Sequence, residues 1–326
     1  MAFLVAGGAA YLAYRKQRTA DLSHALATRS LDSDALSELR TRFATAVEQL
    51  SHTSAAVRMA GAYALATIAD EWLERDNVPQ AQMCVEVLCG YLRLPYKRDS
   101  GKNFQTKRVV KRNLDDKVSE EEHFEFPQND RAVRATITGI VAQRLMSKGG
   151  DWDPRPWARL SLDFTDAHLV DAYFFSSVFP RMMIFRRTRF EGMAVFALAR
   201  FELAIFEQCT FESDAIFSGA HFAEHLQIVG APFVAESGEP SDESADVLTR
   251  VGGRAMFADA VFDGGVKVSD TEFQSAVTFA GATFNQVVGF DGIDGQEFDF
   301  SEAKFKDGGM LQNVVSVGEV TFKCPV

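Results

Sequence analysis

The residues that could do chemistry are few, and their spacing does not serve it. Six histidines are the natural bases and metal ligands: His24, His52, His123, His168, His221 and His225. Only His221 and His225 fall four apart, the spacing that puts two imidazoles on one face of a helix for a zinc-type site. They sit in a phenylalanine-rich stretch whose period is not helical, so the pair does not converge there. The glycine pairs at 7–8, 252–253, 264–265 and 308–309 lack the following lysine, or the strand–turn–helix setting, of a phosphate loop. There is no Gly-x-Ser-x-Gly nucleophile elbow. The cysteines (Cys84, Cys89, Cys209, Cys324) show no Cys-x-x-Cys spacing, which argues against a disulfide framework or a zinc site and for a reducing cytoplasm. No catalytic, cofactor-binding or metal-binding residue is expected, and no enzyme.

The elements that carry these residues are set by phenylalanine. Phe164, Phe174, Phe179, Phe185, Phe190, Phe196, Phe201, Phe206, Phe211, Phe217 and Phe222 follow one another at steps of five or six, with Leu169 filling one beat. The beat returns at Phe257, Phe262, Val268, Phe273, Phe279, Phe284 and Phe290, with Phe305 and Phe322 as late members. Two residues before the central run sit slim side chains: Met183, Thr188, Ala194, Ala199, Ala204, Cys209, Ala215 and Ala220. Neither a helix of period 3.6 nor a strand of period two keeps such positions on one face. A chain that turns a corner after each short extended piece does, and that is a solenoid. Its inward phenylalanines would form a dry axial column, each contributing about 1.5–3 kcal/mol when buried. Cys209, on a small inward beat, reads as a packing residue.

Segments such as Val277–Phe284 (VTFAGATF) resemble the pentapeptide repeat family, whose unit is roughly Ala-x-Leu/Phe-x-x. The resemblance runs over residues 160–322. It implies an α+β chain, in which an N-terminal helical region precedes a right-handed quadrilateral parallel β-helix of about seven coils, a rod roughly 30 Å long.

The helical region is expected over 15–148. Phe43, Val47 and Leu50 fall at helical spacing. Val57, Gly61, Ala64, Leu65, Ile68 and Trp72 trace a helix after an N-cap at Ser54. Ala81, Cys84, Val85, Leu88, Tyr91 and Leu92 trace the next, closed before Pro95. A last helix is expected from Arg131 to Leu145. The stretch from Ser54 to Leu65 resembles a HEAT-like hairpin. With CVEVLCGYLRLPY and VRATITGIVAQRL, it resembles the region preceding the repeats in an actinobacterial-type, membrane-linked subgroup. Residues 1–14 hold the apolar run Ala2–Tyr14, shorter than a full span of about 20 residues, followed at once by Arg15, Lys16 and Arg18. That order is not a signal peptide's. It reads as an anchor-like segment, with the basic cluster and the bulk of the chain on the cytoplasmic side. The true start could lie upstream and complete a transmembrane helix.

Two interruptions remain. Residues 96–130 are basic in the first half and acidic in the second: Lys97–Arg112 holds seven basic residues and one acidic. The halves can pair with each other, or Lys107, Arg108, Lys111 and Arg112 can lie on anionic lipid. An acidic insertion over 236–254 is expected to loop out of the rod. The linker 149–159, with Trp152 and Trp157, reads as the cap docking the last helix onto the open coil.

The net charge of −11 is uneven: from residue 160 onward there are 25 acidic and 11 basic residues. An acidic rod invites comparison with relatives that mimic duplex DNA and act on gyrase. A mimic needs acids striped along one face, but Glu202 maps onto Ala223 and Asp263 onto Asn285, and Arg181, Arg186, Arg187 and Arg189 break the field. The reading is a non-enzymatic, membrane-associated scaffold that binds an unidentified protein, with those four arginines as the candidate partner surface and a DNA-mimicking gyrase or topoisomerase regulator as the alternative. No direct nucleic-acid contact and no cofactor are expected.

Overall fold

The computed structural model describes residues 16–18, 35–96, 107–115, 118–125, 130–147, 155–180, 182–230, 248–295, 297–306, 311–312 and 321–323. Ala2–Tyr14, Trp152, Arg181 and most of the acidic insertion lie outside them. Among the described residues no helix is long and apolar enough to cross a membrane.

Among the described residues four long helices lead the chain: α1 (35–50), α2 (Ala55–Glu74), α3 (Val78–Arg93) and α4 (Asp130–Leu145). Each buries one apolar stripe into a shared core: Leu39, Ala46 and Leu50; Leu65, Ile68 and Trp72; Val85, Leu88 and Leu92; Val133, Ile137 and Val141. A Cβ at Gly61 would stand 2.7 Å from the Ala46 carbonyl oxygen and 2.7 Å from the Leu50 nitrogen. α1 and α2 therefore touch backbone to backbone, which only glycine allows. Asn77 caps α3 by accepting a hydrogen bond from the Gln80 amide at 3.4 Å, with Pro79 in the first turn. α3 stops at Arg93, ahead of Pro95.

Between α3 and α4 the charged interruption forms an antiparallel hairpin, β1 (Lys107–Asp115) with β2 (Val118–Glu125). The register puts Lys107 opposite Glu125, Lys111 opposite Glu121 and Arg112 opposite Glu120. Three of the four basic residues of the strand thus stand opposite an acid, while Arg108 stands opposite Phe124.

From His168 onward short parallel strands climb as a β-solenoid of about five turns. Four columns of inward side chains fill it. One runs Phe174, Phe196, Phe217, Phe257, Phe279, Phe300, each ring stacked on the last at 4.8–5.4 Å. A second runs Phe179, Phe201, Phe222, Phe262, Phe284, Phe305. A third begins Phe164, Phe185, Phe206 and passes to Ile228, Val268 and Phe290. The fourth passes from Leu169 to Phe190, Phe211, Val251 and Phe273. These spacings are the strand spacing of about 4.8 Å, so ring stacking follows directly from backbone pairing.

The five-residue step is a turn. In the first column the phenylalanine carbonyl accepts from the amide three residues on: Phe196 from Ala199, Phe217 from Ala220, Phe257 from Ala260, Phe279 from Ala282 and Phe300 from Ala303, at 2.9–3.1 Å. The residue before each small one adopts positive φ: Leu198, Gly219, Asp259, Gly281 and Glu302. This is the arrangement of a type II turn. The small residue must be small because it points into the same narrow interior as the ring. Where one coil passes through the acidic insertion, 40 residues separate Phe217 from Phe257 in sequence, yet the two rings still stack at 4.8 Å. The insertion thus lengthens the chain without adding a layer, and this is why the described residues hold fewer coils than the length implies. The ladder also resumes earlier than expected. Thr249–Val251 pairs with both Thr210–Phe211 and Thr271–Phe273, so the insertion closes by Thr249 rather than at 254.

Candidate interaction surfaces

The helices sit on the open end of the first coil, and α4 is the element that reaches it. The Leu145 carbonyl at the end of α4 accepts from the Val178 amide at 2.8 Å, and the Ser147 amide donates to the Ser176 carbonyl at 2.9 Å. The helix terminus and the coil edge therefore satisfy each other's unpaired backbone groups. Trp157 is buried beside them. Its indole N–H donates to Asp70 Oδ1 at 2.6 Å, and Arg144 lies over its ring at 5.3 Å. Gln82 on α3 both donates to the Ser161 carbonyl and accepts from the Ser161 amide.

At the centre of this seam is a buried ionic network. Arg134, 1% exposed, gives Nε to Asp130 Oδ2 at 2.7 Å and its two terminal nitrogens to the carbonyls of Leu92 and Leu94, both at 2.8 Å. Asp130 Oδ1 accepts from the Tyr91 hydroxyl at 2.5 Å. The Arg134 guanidinium lies 4.6 Å from the centre of the Tyr96 ring, and that ring meets His168 edge-on at 4.5 Å. His168 Nε2 is 3.0 Å from Glu191 Oε2, and Arg131 gives Nε to Glu191 Oε1 at 3.0 Å and a fork to Asp171. The chain thus runs from α4 through α3 to the second coil. Burial, the larger effect, pushes the His168 pKa down against the pull of Glu191. Burial and the bond to Asp130 together push Tyr91 up. None of Asp130, Arg134, Tyr96 and Glu191 stood out in sequence as a seam residue. The i, i+4 spacing of Asp130 and Arg134 was the one available signal.

The candidate arginine surface has a different character. Arg186 pairs with Glu207 at 2.8 Å, Arg187 with Asp166 through two bonds of 2.6 and 2.8 Å, and Arg189 with Glu212 at 2.6 Å. Each pair joins neighbouring coils. Arg187 holds Asp166 below the usual carboxylate range through those hydrogen bonds. Farther along, Arg254 does the same for Asp214, and Arg250 meets Glu272. The described arginines are inter-coil staples, so this corner presents compensated charge rather than an open basic patch.

Within the rod, His221, His225 and Cys209 are also used between coils. His221 Nε2 is 2.7 Å from Asp263 Oδ2, whose other oxygen accepts from Asn285. His225 Nδ1 accepts from the Gly265 amide at 3.0 Å. The two imidazoles thus answer to the coil below, not to each other. Cys209 is buried, donates Sγ–H to the Phe185 carbonyl at 3.1 Å, and has its pKa pushed up to about 12 by burial. In the same column Thr188 bonds the Phe164 carbonyl and Thr249 the Val229 carbonyl. In the hairpin, Lys111 Nζ lies 2.5 Å from Glu121 Oε1.

A family model described as pentapeptide repeats (9 copies) matches residues 174–221. Those residues lie wholly within the β-solenoid. No curated protein and no solved structure matches the chain. The matched residues are the coils with the most regular phenylalanine columns. The structure carries the same ladder upstream to His168 and downstream through the strand Lys304–Phe305.

Proposed function

We propose that this chain is a non-enzymatic scaffold that presents a rigid solenoid to a protein partner while its N-terminal segment holds it at a membrane. One observation carries the interaction part. Along the described coils the interior is packed phenylalanine, and the titratable groups of the seam and the arginine corner are bound to other protein groups, so the rod's working surface is its outside. In the same reading α2 and α3 form a HEAT-like hairpin, and the actinobacterial-type membrane-linked subgroup is the chain's setting. The anchor would be Ala2–Tyr14, supported by the basic residues that follow it. Contact of Lys107, Arg108, Lys111 and Arg112 with anionic lipid would compete with the acids opposite Lys107, Lys111 and Arg112.

Fractionation of the protein from its native locus tests the membrane part. Recovery in the pellet, resistant to high salt and released by detergent, is expected; recovery in the soluble fraction removes it. Replacing Arg186, Arg187 and Arg189 by alanine tests the arginine corner, and retention of every partner sinks that surface. Pairing of Glu207, Glu212, Asp166 and Asp214 with arginine argues against the gyrase-directed alternative, which requires uncompensated acidic stripes.

A further inference from the structure

One face of the rod is unlike the others. The residue just before each column phenylalanine points outward, and on three faces the outward ladder is charged or mixed. Arg189, Thr210, Arg250 and Glu272 form one such ladder; Arg200, His221, Val261, Thr283 and Lys304 form another; Ile184, Ile205, Gln227 and Lys267 form the third. On the fourth, Tyr173, Val195, Ile216 and Met256 follow in register over four successive coils, before the ladder turns polar at Thr278 and Asp299. Phe175 and Leu198 stand exposed beside its upper end.

We propose that this face docks an amphipathic α-helix of a partner protein, laid along the rod axis with a basic end toward Asp259 and Glu302. Three features of the face point to this occupant. Outward side chains recur every 4.8 Å or so along the rod, close to the helical pitch of about 5.4 Å, so one helix turn meets one coil. The stripe is about 14 Å tall and one rod face wide, on the order of 200–300 Å², well short of the about 800 Å² per partner that a stable complex of two folded copies buries. A single helix with anchors at i, i+3/i+4 and i+7 fits that area. Asp259 and Glu302, exposed on the adjoining corner at the polar end, then give the helix its direction.

This deepens the scaffold reading and rests on it. The probe is a labelled synthetic helix of leucine and lysine with leucines at i, i+3/i+4 and i+7, titrated by fluorescence anisotropy against the full chain beside a scrambled isomer of equal charge. Saturable binding of the amphipathic isomer is expected, weakened tenfold or more by Ile216→Glu and by the milder Ile216→Thr. The triple Arg186, Arg187 and Arg189 to Ala variant should change it less than twofold. A cooperative circular-dichroism melt shows that the variants are folded. Equal binding of the scrambled isomer, or no effect of either Ile216 variant, overturns the proposal. So does a dimer that Ile216→Glu dissolves, which makes a second copy the occupant, or binding to phosphatidylcholine vesicles that the same variant abolishes. Photo-crosslinkers at 187 and 216 separate the two readings. Capture of a protein at 187 alone overturns the helix-docking face and leaves the scaffold; capture at neither overturns both.

Discussion

The seam under the helices and the arginine corner of the rod are made of the same chemistry at the same distances. Arg134 meets Asp130 at 2.7 Å, and Arg187 meets Asp166 at 2.6 Å. What differs is water. Arg134 is 1% exposed, whereas the Arg187 and Asp166 side chains are about half exposed, at 48% and 52%. A buried pair has paid desolvation on both partners, so breaking one side strands the other charge at a cost of about 3–5 kcal/mol. An exposed pair trades one solvated state for another and contributes about 0–1 kcal/mol. Bond length therefore says little about which arginines hold the molecule together; the surrounding dielectric does.

The largest test of this contrast is Asp130→Ala. It leaves Arg134 buried with two carbonyls but no anion and frees the Tyr91 hydroxyl, and thermal melting should show a loss of about 3–5 kcal/mol. A loss under about 1 kcal/mol would put the seam in the same class as the corner. Phe196→Ala probes the rod without touching either site. It removes a ring stacked on Phe174 above and Phe217 below, and about 3–5 kcal/mol should go with it.

A pH titration sharpens the seam itself. His168 is faced by Glu191, Tyr96, Arg134 and Arg189, and its pKa lies below the ordinary value because burial outweighs Glu191. The unfolded chain therefore takes up that proton first as the pH falls, so this stability is fully present above the ordinary histidine pKa and declines on the acid side. The melting temperature should fall between pH 7 and pH 5, and His168→Gln should flatten that part of the profile. A profile identical in the variant would show that His168 does not titrate across folding.

The smallest effect belongs to the corner. Arg186, Arg187 and Arg189 to Ala should each cost within about 1 kcal/mol, and raising the salt concentration should erase most of the difference. A larger, salt-insensitive loss would mean the staples carry the rod.

How much of this was legible depends on the range of the interaction. The phenylalanine beat stood out in sequence because each ring's place depends on its own turn: a positive-φ corner, a small residue, then the next ring. The hairpin was legible because its basic and acidic halves are adjacent in the chain. In sequence the arginine corner stands out as a cluster because Arg186, Arg187 and Arg189 are close together, while their acids sit 21 to 23 residues away on neighbouring coils. Counting units places Asp263 over Asn285, but it does not say which side chains of neighbouring coils close on each other.

The sequence by itself determined the solenoid and its dry core, since both follow from local turn geometry repeated along the chain. Tertiary structure alone decided which charges are buried, which are cancelled by the next coil, and which face is left apolar. Those outcomes depend on desolvation and on cross-coil neighbours, and neither exists until the coils have stacked and α4 has closed their open end.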